Sequence, residues 1–449
     1  MEKIKSFFKN YFRYIFVFVL VFLIYEVFAY GITYGDPICN YGFSYAIRHG
    51  QIPYSDFNTI STPLYAFVMS IGLFVFDNYL MFIIEQSILV TVMFYFLYKL
   101  YDKKAYIVLL SLILFGFYGL LPTYNFMCFL MMVILLYLEK FHNKKDLLIG
   151  VFIGLAILSK HTIGSFFVIP SVVFYFKDFK RLFRRGMGAL IPGSIFIIYL
   201  LCTGSFIDFI NLCFGGLLDF GKSNGNLFNI WFYLTMGFWI VMIINLIRNR
   251  KDITNWYLIF SIMFAVPIFD AVHFWMFFGG FVLMMIPYLN TKYDNYLCNL
   301  SIILIITLCI MNYRMGSIYK PRMMKEIDRF NYTLNDSYSY DIDLKLEVFL
   351  KKYDNPLILS YYKMFHDISH GKKLDYFSVP MYGNFGYDGL NKMIKRIDNM
   401  HDRYIIIDNS SYKREDKFDQ FVKEFATHVI NTCEKVDSKY GFDVYYKKW

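Results

Sequence analysis

Two carboxylates lie in a weakly charged, aromatic stretch at residues 31–65, directly after the first long apolar run. The stretch reads GITYGDPICNYGFSYAIRHGQIPYSDFNTISTPLY and contains Asp36 and Asp56. A carboxylate just beyond the end of a membrane span is costly to desolvate, so it faces water and a substrate or pairs with a cation. Asp36 is therefore the candidate catalytic group. The structural alternative is a helix-ending Asp-Pro pair, because Pro37 disfavours helical geometry at Asp36.

Two basic pairs also interrupt apolar sequence. Lys160 and His161 stand between two apolar runs without an acidic neighbour, and we predict a functional role for both. The alternative is a lysine at a helix end that extends its ammonium toward the membrane interface. Arg48 and His49 lie in the first predicted outer loop and suit a phosphate group, and a solvated loop face is the alternative there.

Asp270 and His273 are three residues apart at a predicted outer membrane boundary. This spacing places both side chains on one face of a helical turn, where they suit a metal ion or a polar substrate group. Two ligands do not make a metal site, and a local hydrogen bond is an equal alternative. Asp56 either orients a substrate or begins a turn before Asn58.

The composition is that of an integral membrane protein. Of the 449 residues, 57% are hydrophobic and 21% are aromatic, and apolar runs of membrane length recur along the chain. The net charge of +10 arises from Lys and Arg between these runs and in the last third, which is typical of topology signals and not of a nucleic-acid interface. The seven Cys show no metal-ligand spacing, so neither a disulfide framework nor a zinc site is indicated.

The basic loops set the predicted topology. A basic N-terminus precedes an apolar run without a small-residue cleavage site, which predicts an uncleaved signal anchor and a cytoplasmic N-terminus. We predict about eleven spans, with residues 35–76 as an outer loop containing juxtamembrane helices. The run PLYAFVMSIGLFVF is predicted to lie at the surface, because a crossing there would move the basic loops at Lys103, Lys144 and Arg184 outside. Individual spans are predicted at about residues 14–34, 79–100, 106–121, 163–176 and 297–313.

The chain changes character after residue 313. Acids, bases, Asn and Tyr become frequent and no membrane-length run remains, so we predict a membrane domain at 1–313 and a soluble α/β domain at 314–449. NPLILSYY, RYIIIDNS and FDVYYKK are predicted strands, and KREDKFDQFVKEFATHVINTC is a predicted amphipathic helix. The order of spans places this domain outside. No G-x-G-x-x-G, P-loop or long internal repeat is present, which disfavours nucleotide binding and solenoid folds.

These features resemble those of the GT-C membrane glycosyltransferases, in particular the branch of protein O-mannosyltransferases and the lipid A aminoarabinose transferase. That branch has an acid after the first span, an aromatic stretch ending in Gly, an aromatic-Pro segment before a surface helix, and an outer C-terminal domain. This chain departs from the pattern at Pro37, which replaces a second acid, and in lacking a Glu-Lys pair before Pro63. The matching residues are Asp36, Tyr41, residues 45–50, Tyr54, Ser55, Asp56, residues 62–65 and the G-L-A-x-L-x-K segment at 154–160.

The resemblance implies an inverting transfer of a sugar from a polyprenyl-phosphate-linked donor to an acceptor hydroxyl at the outer face. Asp36 would take the proton of that hydroxyl, and Lys160 and His161 would stabilise the departing lipid phosphate. Asn125, beside Tyr124, stands where this branch often carries Asp. The implied partners are the lipid donor, a glycan, lipid or protein acceptor, and membrane lipids, without nucleic acid. No cofactor is certain, and a divalent cation is allowed. The other predicted substrate-binding residues are Asp56, Arg48, His49, Tyr54, Asp270 and His273.

Three other functions compete with this interpretation. A transporter or lipid flippase would show related halves and Gly- or Pro-broken helices in matching positions, whereas the polar residues here cluster at one predicted membrane face. An O-antigen ligase or polymerase would carry its large outer loop between spans, whereas here the polar mass is C-terminal. A catalytically inactive scaffold with the same fold would be insensitive to Asp36→Asn.

Overall fold

The computed structural model of the protein describes most of the helical region and most of the tail. Most of the predicted span at 14–34, and the whole of those at 106–121 and 297–313, lie outside the described residues. The described residues are 14–15, 17–19, 22, 36–101, 122–218, 228–288, 346, 348–360, 363–380, 383–409 and 420–448.

Helices dominate the region before residue 314. Most long helices begin at an Asn, Asp or Thr whose side chain accepts a hydrogen bond from a backbone N–H of the first turn. The described helices are α1 (Asp36–Arg48), α2 (Leu64–Leu73), α3 (Tyr79–Leu100), α4 (Tyr124–Phe141), α5 (Asp146–Ser159), α6 (His161–Tyr175), α7 (Phe179–Cys202), α8 (Phe206–Leu218), α9 (Ile230–Arg248), α10 (Ile253–Phe264) and α11 (Ala271–Tyr288).

Five of the described helices, α3, α4, α7, α9 and α11, are long and apolar enough to cross a membrane. Helix α4 is central, because 78% of its apolar 18-residue segment is buried. In α9 only 11% of the corresponding segment is buried, which leaves its apolar surface for lipid. Helix α2 has only 10 residues, about 15 Å of helix, which is half of a hydrocarbon core. The expected polytopic helical architecture is confirmed, and the count of about eleven spans stays a prediction.

Glycines allow α5 and α7 to pack with their backbones in contact. A Cβ on Gly150 would lie 2.0 Å from the carbonyl oxygen of Arg185, and one on Gly188 would lie 2.1 Å from that of Leu147. Membrane helices associate closely through such small residues because apolar burial gives no drive between helices in lipid. These glycines fix the position of α5, whose C-terminal end carries Lys160.

A buried ionic network closes the opposite end of the bundle. The Arg185 guanidinium, only 2% exposed, donates to both carboxylate oxygens of Glu139 (2.5 and 3.0 Å) and to Asp146 (3.0 Å). Tyr257 donates to Glu139 at 3.0 Å, and Ser171 accepts from Arg185 at 3.0 Å. A buried charge requires such partners. The network therefore joins four helices, α4, α6, α7 and α10, to the first turn of α5.

The tail contains a four-stranded sheet in the order β1-β2-β4-β3, with β1 parallel to β2 and the other neighbours antiparallel. Its three predicted strands are confirmed. The predicted helix is confirmed over Gln420–Thr432, and its first residues, 413–419, lie outside the described residues. The edge strand β3 was not predicted, because its EKVDSK sequence is polar on both faces. The elements are β1 (Leu357–Leu359), α12 (Lys363–Ser369), α13 (Gly389–Asp398), β2 (Arg403–Asp408), α14 (Gln420–Thr432), β3 (Glu434–Lys439) and β4 (Phe442–Lys447).

The tail packs directly on α1 and on the loop that follows it. Gln51 and Leu374 exchange two hydrogen bonds, at 2.8 and 2.9 Å, between the Gln side chain and the Leu backbone. Helix α12 packs on α1 so closely that a Cβ on Gly42 would lie 2.6 Å from the sulfur of Met364. The described tail therefore lies at the same end of the bundle as α1.

Candidate functional site

A small cavity lies beside α1 at the end of the bundle that contacts the tail. Asn40, Phe43 and Ile47 line it, and their spacing of three and four residues places them on one face of α1. Position 36 belongs to the same stripe, because it precedes Asn40 by four residues. Asp36 and Pro37 are both residues of α1, and proline is tolerated in the first turn of a helix. The end of the preceding predicted span lies outside the described residues, so the helix-ending alternative stays a prediction.

The remaining wall of the cavity comes from the loop before α2 and from α4. Thr59 and Ser61 contribute hydroxyl groups, and their side-chain oxygens lie 3.1 Å apart. Tyr124, in the first turn of α4, closes the wall. Thr62 in the same loop donates to the backbone carbonyl of Ile157 at 3.2 Å, which ties the loop to α5. The lining is thus mainly apolar and aromatic, with hydroxyl and amide groups at a few positions.

Lys160 is connected to this cavity through Tyr124. It joins α5 to α6 with an extended backbone, and its Nζ donates to Oδ1 of Asn125 at 2.7 Å. The same ammonium lies 5.3 Å from the ring centroid of Tyr124, within the range of a cation–π interaction. Asn125 is buried and uncharged, so it orients the ammonium without neutralising it. The Lys160 ammonium therefore lies against Tyr124, which lines the cavity.

His161 begins α6, next to Lys160. Its Nε2 lies 3.0 Å from the backbone oxygen of Cys213 in α8. A carbonyl oxygen only accepts, so this hydrogen bond assigns the proton to Nε2 and leaves a lone pair on Nδ1. Within the described part of the chain, Nδ1 is buried and has no hydrogen-bond partner. An unsatisfied buried acceptor is uncommon, and a substrate hydroxyl would satisfy it.

Tyr54 and Asp56 shape the loop between α1 and α2. Tyr54 is buried, has a left-handed backbone conformation (φ +72°), and donates its hydroxyl to the backbone oxygen of Ser61 at 2.9 Å. Asp56 is exposed and accepts a hydrogen bond from the backbone N–H of Ile52 at 2.7 Å. Both residues stabilise the conformation of this loop, and the exposed carboxylate of Asp56 faces solvent.

Arg48 and His49 lie at the other end of α1, about 18 Å of helix from position 36. Arg48 donates from Nε to the backbone oxygen of Leu73 at 3.1 Å and stacks its guanidinium 4.3 Å from the ring centroid of Phe74. His49 pairs with Asp77, with 2.9 Å between Nε2 and Oδ2. The structure thus brings both residues to the C-terminal end of α2, and their contacts there are with protein groups.

Asp270 and His273 contact each other at the start of α11. Oδ1 of Asp270 accepts from both the backbone N–H and the Nδ1 of His273, each at 2.8 Å. This arrangement is a helix cap, which matches the local hydrogen-bond alternative. Among the described contacts, none joins this pair to Lys160 or Tyr124. Groups of three or more His, Cys, Asp or Glu side chains that suit a metal ion do not occur within the described residues.

Two features of the site were not identified from the sequence. Asn40 lines the cavity one turn after Asp36, and its spacing of four residues from Asp36 could have identified it from the sequence. The backbone carbonyl of Cys213, which orients His161 from 52 residues away in sequence, left no signal at all.

The helical bundle, the short helix α2 and the docked α/β tail form a GT-C-like fold, as the resemblance had implied. The structure is similar to the crystal structure of ArnT from Cupriavidus metallidurans in the apo state, with a TM-score of 0.54 and 10% identity over 95% of this chain and 97% of that chain. It is also similar to the same protein bound to undecaprenyl phosphate, with a TM-score of 0.55 and 12% identity over 98% of each chain. No protein-family model and no curated protein sequence matches this chain.

Proposed function

We propose that this protein transfers a sugar from a polyprenyl-phosphate-linked donor to an acceptor hydroxyl at the outer face of the membrane, with inversion at the anomeric carbon. The observation that carries this proposal is that Tyr124 contacts the Lys160 ammonium and also lines a small cavity beside α1, on the face of α1 to which position 36 belongs. A candidate base position and a cation for a phosphate are thus gathered at one end of the bundle. The GT-C fold supports the same reaction class.

In this mechanism Asp36 takes the proton of the acceptor hydroxyl as its oxygen attacks the anomeric carbon. The bond from that carbon to the phosphate oxygen breaks, and the lipid phosphate leaves with the electron pair. Lys160 stabilises the negative charge on the departing phosphate. The lone pair on Nδ1 of His161 accepts a hydrogen bond from a substrate hydroxyl, and His161 itself stays neutral.

A membrane-embedded site requires a sugar donor that is itself held in the membrane, so we infer a lipid carrier. ArnT was crystallised with undecaprenyl phosphate, and the likeness of fold supports a carrier of the same class here. The acceptor is a glycan, lipid or protein hydroxyl. We place the membrane domain at residues 1–313 and the soluble domain at 314–449, with the juxtamembrane loop at 35–76.

Charge supports an extracytoplasmic tail and a cytoplasmic N-terminus. Helix α4 runs about 27 Å from Tyr124 beside the cavity to its other end, where Lys140 lies. Of the basic residues that follow, Lys144 lies in the turn after α4, and Arg184 lies near the start of α7 at that second end. Since cytoplasmic loops collect Lys and Arg, the cavity and the tail lie on the opposite side of the membrane.

A comparison of cell-surface glycans tests the proposal. Glycans, lipids and surface proteins from cells with and without this protein are compared by mass spectrometry, with cells that express Asp36→Asn as a matched control for the folded protein. We expect one glycan or glycosylated species to lose a single sugar in both the deletion and the Asp36→Asn cells. If the loss occurs in the deletion but not with Asp36→Asn, the protein acts as a transporter or scaffold and the proposed chemistry is wrong.

A further inference from the structure

Helix α8 contains a π-helical turn at Asn211–Gly215, and this turn lies between His161 and the tail. A π turn contains one residue more than an α turn, is intrinsically unfavourable, and persists only where other contacts hold it. Its contacts here lie on two sides. One side faces the candidate site and the other faces the tail.

On the side of the site, the turn presents the carbonyl of Cys213 to His161. Leu212 and Cys213 are buried in one cluster with Tyr54, and the ring of Tyr54 packs edge-on against Phe209 with 5.3 Å between centroids. The position of the turn therefore sets both the tautomer and the orientation of His161. It also contacts the loop between α1 and α2 through Tyr54.

On the other side, the turn meets the tail at residues 383–387, which we name the docking loop. Oδ1 of Asn211 accepts from the backbone N–H of Tyr387 at 3.2 Å and lies 3.4 Å from Nζ of Lys392 in α13. Gly386 has φ +77°, and a Cβ there would lie 2.4 Å from Nδ2 of Asn211. The docking loop thus fits against Asn211 without space for a side chain at Gly386.

A second close approach lies a few residues further along α8. A Cβ on Gly216 would lie 2.2 Å from the carbonyl oxygen of Gly383, and one on Gly215 would lie 3.0 Å from Cβ of Tyr387. Both ends of the docking loop therefore contact α8 with their backbones. The tail therefore contacts the turn at its first residue, Asn211, and at its last, Gly215.

We propose that Asn211 is a positioning residue through which the docking loop of the tail holds the π turn, and thereby His161, in place. Without this contact, the turn relaxes toward an α-helix, which shifts the residues after it by one position and moves the Cys213 carbonyl away from Nε2 of His161. The effect on catalysis rests on the proposed function. The effect on the orientation of His161 does not.

Chemical labelling of His161 tests the positional part without any substrate. The full-length protein in lipid nanodiscs is treated with diethyl pyrocarbonate, which modifies accessible neutral imidazole nitrogens, and labelled peptides are quantified by mass spectrometry. His142, at the opposite end of the bundle, is the internal reference. We expect Asn211→Ala to raise labelling of His161 about fivefold, the effect of losing one hydrogen bond of ordinary strength.

Two matched variants serve as controls for Asn211→Ala. Asn211→Asp keeps an acceptor for Tyr387 and pairs with Lys392, so labelling of His161 stays at the wild-type level. Asn391→Ala removes an amide that bonds only to Asp388 within the tail among the described contacts, and it leaves labelling unchanged. Should Asn211→Ala not fold, Lys392→Ala weakens the same contact more mildly and is expected to raise labelling to a smaller degree. Unchanged labelling of His161 in the folded variant overturns the proposal.

Turnover is then measured with a panel of synthetic undecaprenyl-phosphate hexoses. We expect kcat/KM to fall about fivefold for Asn211→Ala and to be restored by Asn211→Asp. Increased labelling with undiminished kcat/KM would show that the contact has no role in catalysis and overturn the proposal. Increased labelling in a protein whose wild type turns over none of the donors would support the positional role and count against the proposed function.

Discussion

The ammonium of Lys160 lies 2.7 Å from Oδ1 of Asn125, a buried amide at the start of α4. A carboxylate at position 125 would add a negative charge beside the lysine, whereas the amide adds none. The next residue, His161, is fixed with its lone pair on Nδ1. Two adjacent residues therefore provide a cation and a neutral hydrogen-bond acceptor at the same end of the bundle.

Lys160 is predicted to act mainly in turnover. The Lys160→Met variant keeps the length of the aliphatic side chain but loses the charge that stabilises the departing phosphate. We therefore expect kcat for transfer from an undecaprenyl-phosphate sugar to fall about a hundredfold. Lys160→Arg retains the charge and is expected to lose much less. Melting temperature in detergent, measured for both variants, separates this effect from unfolding. Equal activity of the Met and Arg variants would show that the charge is not used.

His161 is predicted to act through Nδ1. His161→Gln places an amide donor within reach of the Cys213 carbonyl but supplies no acceptor at the position of Nδ1, so we expect about tenfold lower kcat/KM with an unchanged melting temperature. His161→Ala removes both groups and lowers kcat/KM and stability together. Wild-type kinetics of His161→Gln would mean that the contact with Cys213 is the whole function of this residue.

The Arg185 network is predicted to stabilise the fold without a role in transfer. Arg185→Met leaves the buried carboxylate of Glu139 without its cation, whereas Asp146 keeps its ion pair with Arg181, and the loss costs about 3–5 kcal/mol. We expect a large drop in the melting temperature and an unchanged kcat per folded molecule. The adjacent and exposed Arg184→Met is the matched control, with an expected effect near zero. A normal melting temperature for Arg185→Met would contradict the ionic network.

Gly150 is predicted to be irreplaceable in packing. In Gly150→Ala, the new Cβ would meet the backbone oxygen of Arg185 at 2.0 Å, so α5 and α7 must separate. Gly193→Ala in α7 meets nothing within 4 Å and is the control. We expect a lower melting temperature for the first variant only, measured by thermal unfolding in detergent. The same melting temperature for both would mean that the helices do not cross closely at this point.

The fold could be predicted from the sequence where the physical signal was local. Long apolar runs, basic loops and the short apolar strand sequences RYIIIDNS and FDVYYKK each report on their own segment. The edge strand β3 was missed because its residues bury almost nothing, and its pairing with β4 is a tertiary property. The same limit applies to the span count, since α5 and α10 are helical but shorter than a membrane span.

The candidate site was predictable in residue type but only partly in arrangement. Lys160 and Asn125 were both singled out, yet their hydrogen bond joins residues 35 apart. Arg48 and Asp270 carried equally suggestive charges, and both were found in contacts with protein groups at helix ends. Charge in an apolar sequence marks a residue that must have a partner. It does not say whether that partner is the protein or a substrate.

Asp36 tests the central claim most directly. Purified wild type, Asp36→Asn and Asp36→Glu are compared in nanodiscs for sugar transfer from synthetic undecaprenyl-phosphate donors to acceptors extracted from the cell surface. We predict that Asp36→Asn lowers the transfer rate about a thousandfold, because an amide cannot take the proton of the acceptor hydroxyl, and that Asp36→Glu retains part of the rate. Undiminished transfer by a folded Asp36→Asn protein would contradict the account.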